Sequence, residues 1–197
     1  MLTSKLLAQL PGIEHGFCTR HSGLTQDAMA SLKQIHSGLV LVAERERGCI
    51  GEGDALIATV PGVAVSIRTA DCLPILLADV RTGRVAAVHA GWRGTAAGVV
   101  LNAIERMGSR PADIYAAIGP GIGMCCYEVG LEVAQQLGED RAGKVDLAEI
   151  NRTQLESAGV QHIDVLGLCT FCSADQFWSY RREGEQAGRM ISYIRVQ

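Results

Sequence analysis

Aromatic residues make up only 5% of this 197-residue chain, and its five histidines include no His-x-His pair. A protein with several copper centres feeds each from multiple histidines, so that supply is excluded here. No apolar stretch approaches the roughly 20 residues of a membrane-spanning helix. The opening Met1-Leu-Thr-Ser-Lys-Leu-Leu-Ala-Gln-Leu10 is too short and too weakly charged for a secretory signal, and a cytoplasmic protein is expected. Basic charge is not in excess either. Lys and Arg number 18 against 21 Asp and Glu, a formal net charge of −3 that gives no overall attraction to nucleic acid or an anionic membrane. Neither partner is expected.

Cysteine is the residue the chain does have. Seven cysteines, an odd number without a secretory signal, argue for thiols or metal ligands rather than a disulfide framework. The adjacent Cys125 and Cys126 fit that view, because neighbouring cysteines rarely satisfy disulfide geometry with each other. Hydrophobic residues at 48% suffice for one substantial core. The runs 63–67, 75–78, 85–89 and 114–118 read as strands, and their continuous apolar character implies burial on both faces. Helical spacing is clearest over 95–107, 128–137 and 147–158, closed by Gly108, Gly138 and Gly159. Residues 48–54, Gly-Cys-Ile-Gly-Glu-Gly-Asp, read as a flexible loop. The expected organisation is one compact α+β unit.

Three segments place chemistry at the ends of these strands. Cys72, in Thr69-Ala-Asp-Cys-Leu-Pro74, and His89, in Ala87-Val-His-Ala-Gly-Trp-Arg-Gly94, both stand where a buried strand gives way to a turn, so two soft ligands can meet. Each is also the kind of residue that a core satisfies by itself. After His89, a glycine turn feeds a helix start. There Arg93 offers a charge-assisted fork to phosphate, and Gly94 allows an oxyanion close to the backbone. Asp71, beside Cys72, is a candidate general base or a support for a metal ligand, and equally a turn cap. The third segment, Ile118-Gly-Pro-Gly-Ile-Gly-Met-Cys-Cys-Tyr-Glu-Val-Gly130, is a candidate facing wall of the same cleft or a structural crossover. Cys169-Thr-Phe-Cys172 is a lone C-x-x-C, weak as a structural metal site without a second pair. Trp92 and Trp178 are candidates to stack a planar ligand ring, though core packing is their commoner role.

Taken in order, these motifs together with Phe177-Trp-Ser-Tyr-Arg-Arg182 resemble the YfiH-type laccase-domain family. The resemblance implies a layered sandwich of buried β-sheets with flanking helices over 1–197, similar to the toxin-deamidase fold, as a single domain shortened towards its N-terminus. It implies zinc held by His36, in Gln34-Ile-His-Ser37, with Cys72 and His89. Three protein ligands leave the fourth position open, which is the catalytic pattern. The implied activity is a purine nucleoside phosphorylase acting on adenosine, inosine or guanosine with phosphate, with adenosine deaminase and methylthioadenosine phosphorylase side activities. Arg20 resembles a residue of the family's substrate loop, and Arg181 is a comparable candidate. Ser22 and Ser37 stand where the family usually has glycine, and the segment between Thr25 and Gln34 is shorter than usual.

Other functions compete. Copper is possible in a Cys-His-His site, and the family's older description is a copper polyphenol oxidase. A metal-free hydrolase would use Cys72 as nucleophile and His89 as base. A zinc-stabilised interaction module would need a closed site, with Cys125 or Cys126 as fourth ligand. Oligomeric state is not legible.

Overall fold

The computed structural model describes residues 1–43 and 47–197. In chain order its strands are β1 (Ile13–Phe17), β2 (Ala30–Lys33), β3 (Val40–Val42), β4 (Gly48–Glu52), β5 (Ala55–Ala58), β6 (Val65–Thr69), β7 (Leu73–Asp79), β8 (Arg84–Ala90), β9 (Tyr115–Ile118), β10 (Glu128–Val129), β11 (Gly143–Lys144), β12 (His162–Val165) and β13 (Met190–Val196). The helices are α1 (Trp92–Ala96), α2 (Val99–Met107), α3 (Leu131–Gln136), α4 (Leu147–Ser157) and α5 (Tyr180–Glu183).

Two sheets carry the fold. One runs β1-β13-β6-β2-β4, the other β12-β9-β7-β8-β5-β3, and β10 and β11 form a separate ribbon. The apolar runs of β7 and β8 explain the layering, because every residue of β7 is buried and side chains along a strand point alternately to its two faces. Leu76 and Ala78 meet Phe17, Val65, Ile67 and Ile194 of the first sheet. Ile75 and Leu77 meet Val100, Ala103, Ile104 and Met107 of α2 and Leu155 of α4. The molecule is thus a sheet, a second sheet and a helical layer, the α+β layered sandwich expected. Truncating a fully buried leucine at the sheet interface, such as Leu76, costs about 2–5 kcal/mol.

Several boundaries differ from the sequence-based expectation. The helical stretch over 95–107 is two helices, because Gly98 turns left-handed at φ 65° between α1 and α2. Glu128 and Val129 are strand rather than helix, paired with Lys144 and Gly143. The presumed loop at 48–54 contains β4, which pairs in parallel with β2; Glu44, Arg45 and Glu46 precede it outside the described residues. β1 and β13, antiparallel neighbours in the first sheet, alternate too weakly to stand out in the sequence.

Candidate metal centre and its cleft

Strand register builds the site. In the second sheet the order β7-β8-β5 sets Pro74 opposite His89 and Ala55 opposite Val88. Cys72 before β7, His89 near the end of β8 and Asp54 before β5 therefore stand side by side at one sheet end. The His89 N–H donates to the Asp54 carbonyl at 2.7 Å. Gly91 completes the approach: a Cβ there would stand 2.7 Å from Cys72 Sγ, so glycine is what lets the sulfur in.

His36 arrives on the loop between β2 and β3, with a left-handed backbone at φ 59°. Two devices hold that loop. Gln34 exchanges side-chain hydrogen bonds with the backbone of Arg68, both at 2.8 Å. The fully buried Asp54 carboxylate accepts the backbone N–H groups of His36 at 3.0 Å and Ser37 at 2.6 Å, and the Ser37 hydroxyl at 2.7 Å. Ser37 is thus a working member of the site.

The structure brings together all three residues named as metal ligands. Ligand atoms of His36, Cys72 and His89 lie within 4.8 Å of one another. The imidazole rings of His36 and His89 meet edge to face, 4.9 Å between centroids. Asp54 Oδ1 takes the Nδ1 side of His89 at 2.8 Å, which leaves Nε2 for a ligand. Burial opposes charge at each group, and the partners outweigh it. The Asp54 carboxyl is held at about 2 by His89 and Ser37. The Cys72 thiol comes down to about 7 through His36 and His89. His89 rises to about 9 against Asp54 and Cys72. Two imidazoles and a readily formed thiolate suit zinc, and they suit copper as well.

These groups open into a cleft of about 850 Å³. Its lining includes Lys33, Arg68, Arg93, Arg181 and Arg189, against the single acidic side chain of Asp71, so a chain of net charge −3 concentrates positive charge here. Tyr127 also lines it. Burial first, and then the negative charge of Cys72, push its phenol up to about 12, so it keeps its proton. The Gly-rich third segment does form a wall of this cleft, through Ile122 and Tyr127.

Other expected site residues fall differently. Asp71 lines the cleft, but its carboxylate accepts from Thr170 Oγ1 at 2.6 Å, Ser179 Oγ at 3.0 Å and the Arg181 N–H at 2.6 Å. It ties down the segment that carries Arg181. Support of a metal ligand falls to Asp54, which the sequence reading missed although a carboxylate directly before a buried apolar run marks it. Arg20 does not line the cleft. It lies 3.8 Å over the Trp178 ring, donates to the Ala174 carbonyl and pairs with Glu183. Gly94 is buried, where a Cβ would crowd the carbonyls of His89 at 3.2 Å and Ser37 at 3.3 Å, so the lack of a side chain lets α1 lie close to the His36 loop. Cys125 and Cys126 group with Cys169 and Cys172 instead of completing the His36 centre. Trp92 lines the cleft beneath Arg93, which stands 4.3 Å from its ring.

A family model described as multi-copper polyphenol oxidoreductase laccase matches residues 15–197. The chain belongs to that family. Within it, the chain is 45% identical over 185 residues to a purine nucleoside phosphorylase of Deinococcus radiodurans, covering 87% of this chain and 72% of that protein. It is 34% identical over 200 residues to adenosine deaminase RL5 of an unknown prokaryotic organism, covering 87% and 76%. The crystal structure of YlmD from Geobacillus stearothermophilus superposes with a TM-score of 0.89 at 28% identity, over 98% of this chain and 94% of that one. The laccase-domain fold is therefore shared throughout, and relatives carry the names of enzymes that act on purine nucleosides.

Proposed function

We propose that this laccase-domain protein is a zinc-dependent purine nucleoside phosphorylase, converting adenosine, inosine or guanosine and phosphate into base and ribose 1-phosphate, with adenosine deaminase and methylthioadenosine phosphorylase side activities. The observation that carries this reading is the convergence of His36, Cys72 and His89, braced by Asp54, at the floor of a cleft lined by five cationic side chains. His36, Cys72 and His89 would hold the ion, leaving a position for water or substrate. When bound, zinc supplies a Lewis acid beside the reacting atoms. Arg93 and Arg181 are the bidentate donors placed for a phosphate, with Arg68, Arg189 and Lys33 adding field. Holding phosphate against the ribose turns a bimolecular attack into an oriented one. Tyr127, which keeps its proton, is a donor for the departing purine. As a single domain, the chain would gather all these groups without a second module.

The test is hypoxanthine release from inosine by zinc-loaded protein, with and without phosphate. Phosphate-dependent release that falls to background in Cys72→Ala is expected. A zinc-loaded protein that turns over none of the three nucleosides would sink the reading.

A metal-free hydrolase is the second reading, favoured by one feature. Asp54, His89 and Cys72 form a carboxylate, imidazole and thiol series in which burial is overcome to give a low-lying thiol. Activity that survives chelation but not Cys72→Ala would select it. The copper polyphenol oxidase reading has less support. Among the described residues the metal-compatible clusters are a His-Cys-His trio and a cysteine quartet, not the repeated histidine sets that several copper centres need.

A further inference from the structure

The turn after β9 and the turn after β12 carry two cysteines each. Cys125 and Cys126 sit in a turn closed by the N–H groups of Cys126 and Tyr127 on the Gly123 carbonyl, at 2.9 and 3.0 Å. Cys169 and Cys172 occupy a turn held beside it by a bridge between Gly121 and Cys169 and by the Thr170 N–H on the Gly121 carbonyl at 2.9 Å. All four sulfurs lie within 4.8 Å of one another, with Cys172 Sγ 3.3 Å from Cys126 and 3.5 Å from Cys125.

These separations decide between chemistries. A disulfide requires sulfurs about 2.05 Å apart and joins only two of the four. Iron–sulfur clusters spread their thiolates over several irons, farther apart than one 4.8 Å group permits. Four thiolates about 2.3 Å from one tetrahedral ion stand roughly 3.8 Å from each other, and the sulfurs here, two pairs at 3.3 and 3.5 Å and all within 4.8 Å, are gathered closely enough to meet one ion. One backbone donor already faces the group: the Gly123 N–H points at Cys169 Sγ at 3.3 Å.

We propose that Cys125, Cys126, Cys169 and Cys172 bind one zinc ion as a closed tetrathiolate, a structural site separate from the His36-Cys72-His89 centre. Four protein ligands leave no open position, so this metal does no chemistry on substrate. It staples the segment bearing Ile122 and Tyr127, which wall the cleft, to the segment bearing Thr170, whose hydroxyl holds Asp71, and Phe171, whose carbonyl holds Arg182. The quartet would therefore fix the cleft wall from outside.

The experiment measures metal content of protein purified under reducing conditions, in a Cys72→Ala background so that the cleft centre contributes nothing. About one zinc per chain is expected there, and none after adding Cys172→Ser. Cobalt loaded into the Cys72→Ala protein should give the intense sulfur-to-cobalt charge transfer of four thiolates. Zinc release from intact Cys72→Ala protein should follow titration of four thiols by a mercurial reagent, a measurement that does not require the Cys172→Ser chain to fold. Where that chain does fold, its thermal midpoint should drop by about 5 °C or more. Cys72→Ala protein that stays zinc-free after reconstitution, holds copper instead, or contains a disulfide among these cysteines would overturn the proposal.

Discussion

The three donors at the cleft come from three separate places in the chain, and the two histidines rest on one buried carboxylate, whereas the four sulfurs of the second group come from two turns, with a peptide N–H on one of them. Asp54 reaches both histidine segments, taking His89 through its ring and His36 through its backbone. Such bracing fixes ring orientation and raises ligand basicity, which matters where a metal must also receive substrate. Cys169 has the Gly123 N–H beside it, and its neighbours are more thiols. Open coordination needs support from the protein; closed coordination supplies its own. Location follows the same division. The trio faces a cleft crowded with arginines, and among the described residues that line this cleft are none of the quartet's cysteines.

Gly91→Ala is the most severe way to break this contrast while keeping every donor. A methyl 2.7 Å from Cys72 Sγ must displace the sulfur or the strand end. Nucleoside turnover should fall to background with loss of one metal equivalent, while the quartet keeps its ion. Retention of both metals with full activity would show that the sulfur is not where the site needs it. Asp54→Asn is the next largest. It keeps the shape but gives up the charge facing His89, and metal affinity or activity should fall about 10–100-fold, read by competition with a chelator. The same carboxyl gives a pH test of stability. Its folded value of about 2 lies below the 3.8 of an ordinary aspartate, so its contribution, about 2 kcal/mol, is complete above pH 3.8 and lost as pH falls through 2. Denaturant unfolding should find Asp54→Asn less stable than wild type at neutral pH, with a gap that closes on acidification. A gap independent of pH would mean that shape, not charge, is what Asp54 supplies. Arg93→Ala should raise the KM for phosphate by about tenfold or more with little change in metal content, the loss of a charge-assisted bidentate contact.

How far the sequence discloses all this differs between the two groups. His89 is visible because it closes an apolar run just before a turn, and Cys72 because it stands in the turn that opens one, while motif resemblance supplies His36. Asp54 escapes because its role depends on β5 lying next to β8, a pairing no local pattern contains. The quartet escapes for the same reason. Cys169-x-x-Cys172 looks alone until the parallel pairing of β12 with β9 brings its turn against that of Cys125 and Cys126. Strands buried on both faces announce themselves by composition, so β7, β8 and β9 are legible. β10 is not, because two residues of helical spacing become strand only through Gly143 and Lys144. The Arg20 expectation fails on a tertiary detail too, the nearby Trp178 face and Glu183 that occupy its guanidinium.

The smallest expected effect sharpens the comparison most finely. The Ser37 hydroxyl donates to Asp54 Oδ2 while accepting the Leu39 N–H at 3.2 Å. Its backbone N–H reaches the same carboxylate oxygen and survives any side-chain change. Ser37→Gly therefore removes one of the several donors that hold Asp54 and frees the backbone beside the strained His36. A net hydrogen bond is worth about 1 kcal/mol, so metal affinity at the cleft should weaken by about fivefold or less. The quartet shares no contact with this loop and should not respond at all. An effect as large as that of Asp54→Asn would place the control of His36 in the serine hydroxyl rather than in the carboxylate, and the loop rather than the sheet end would then be what holds the trio open.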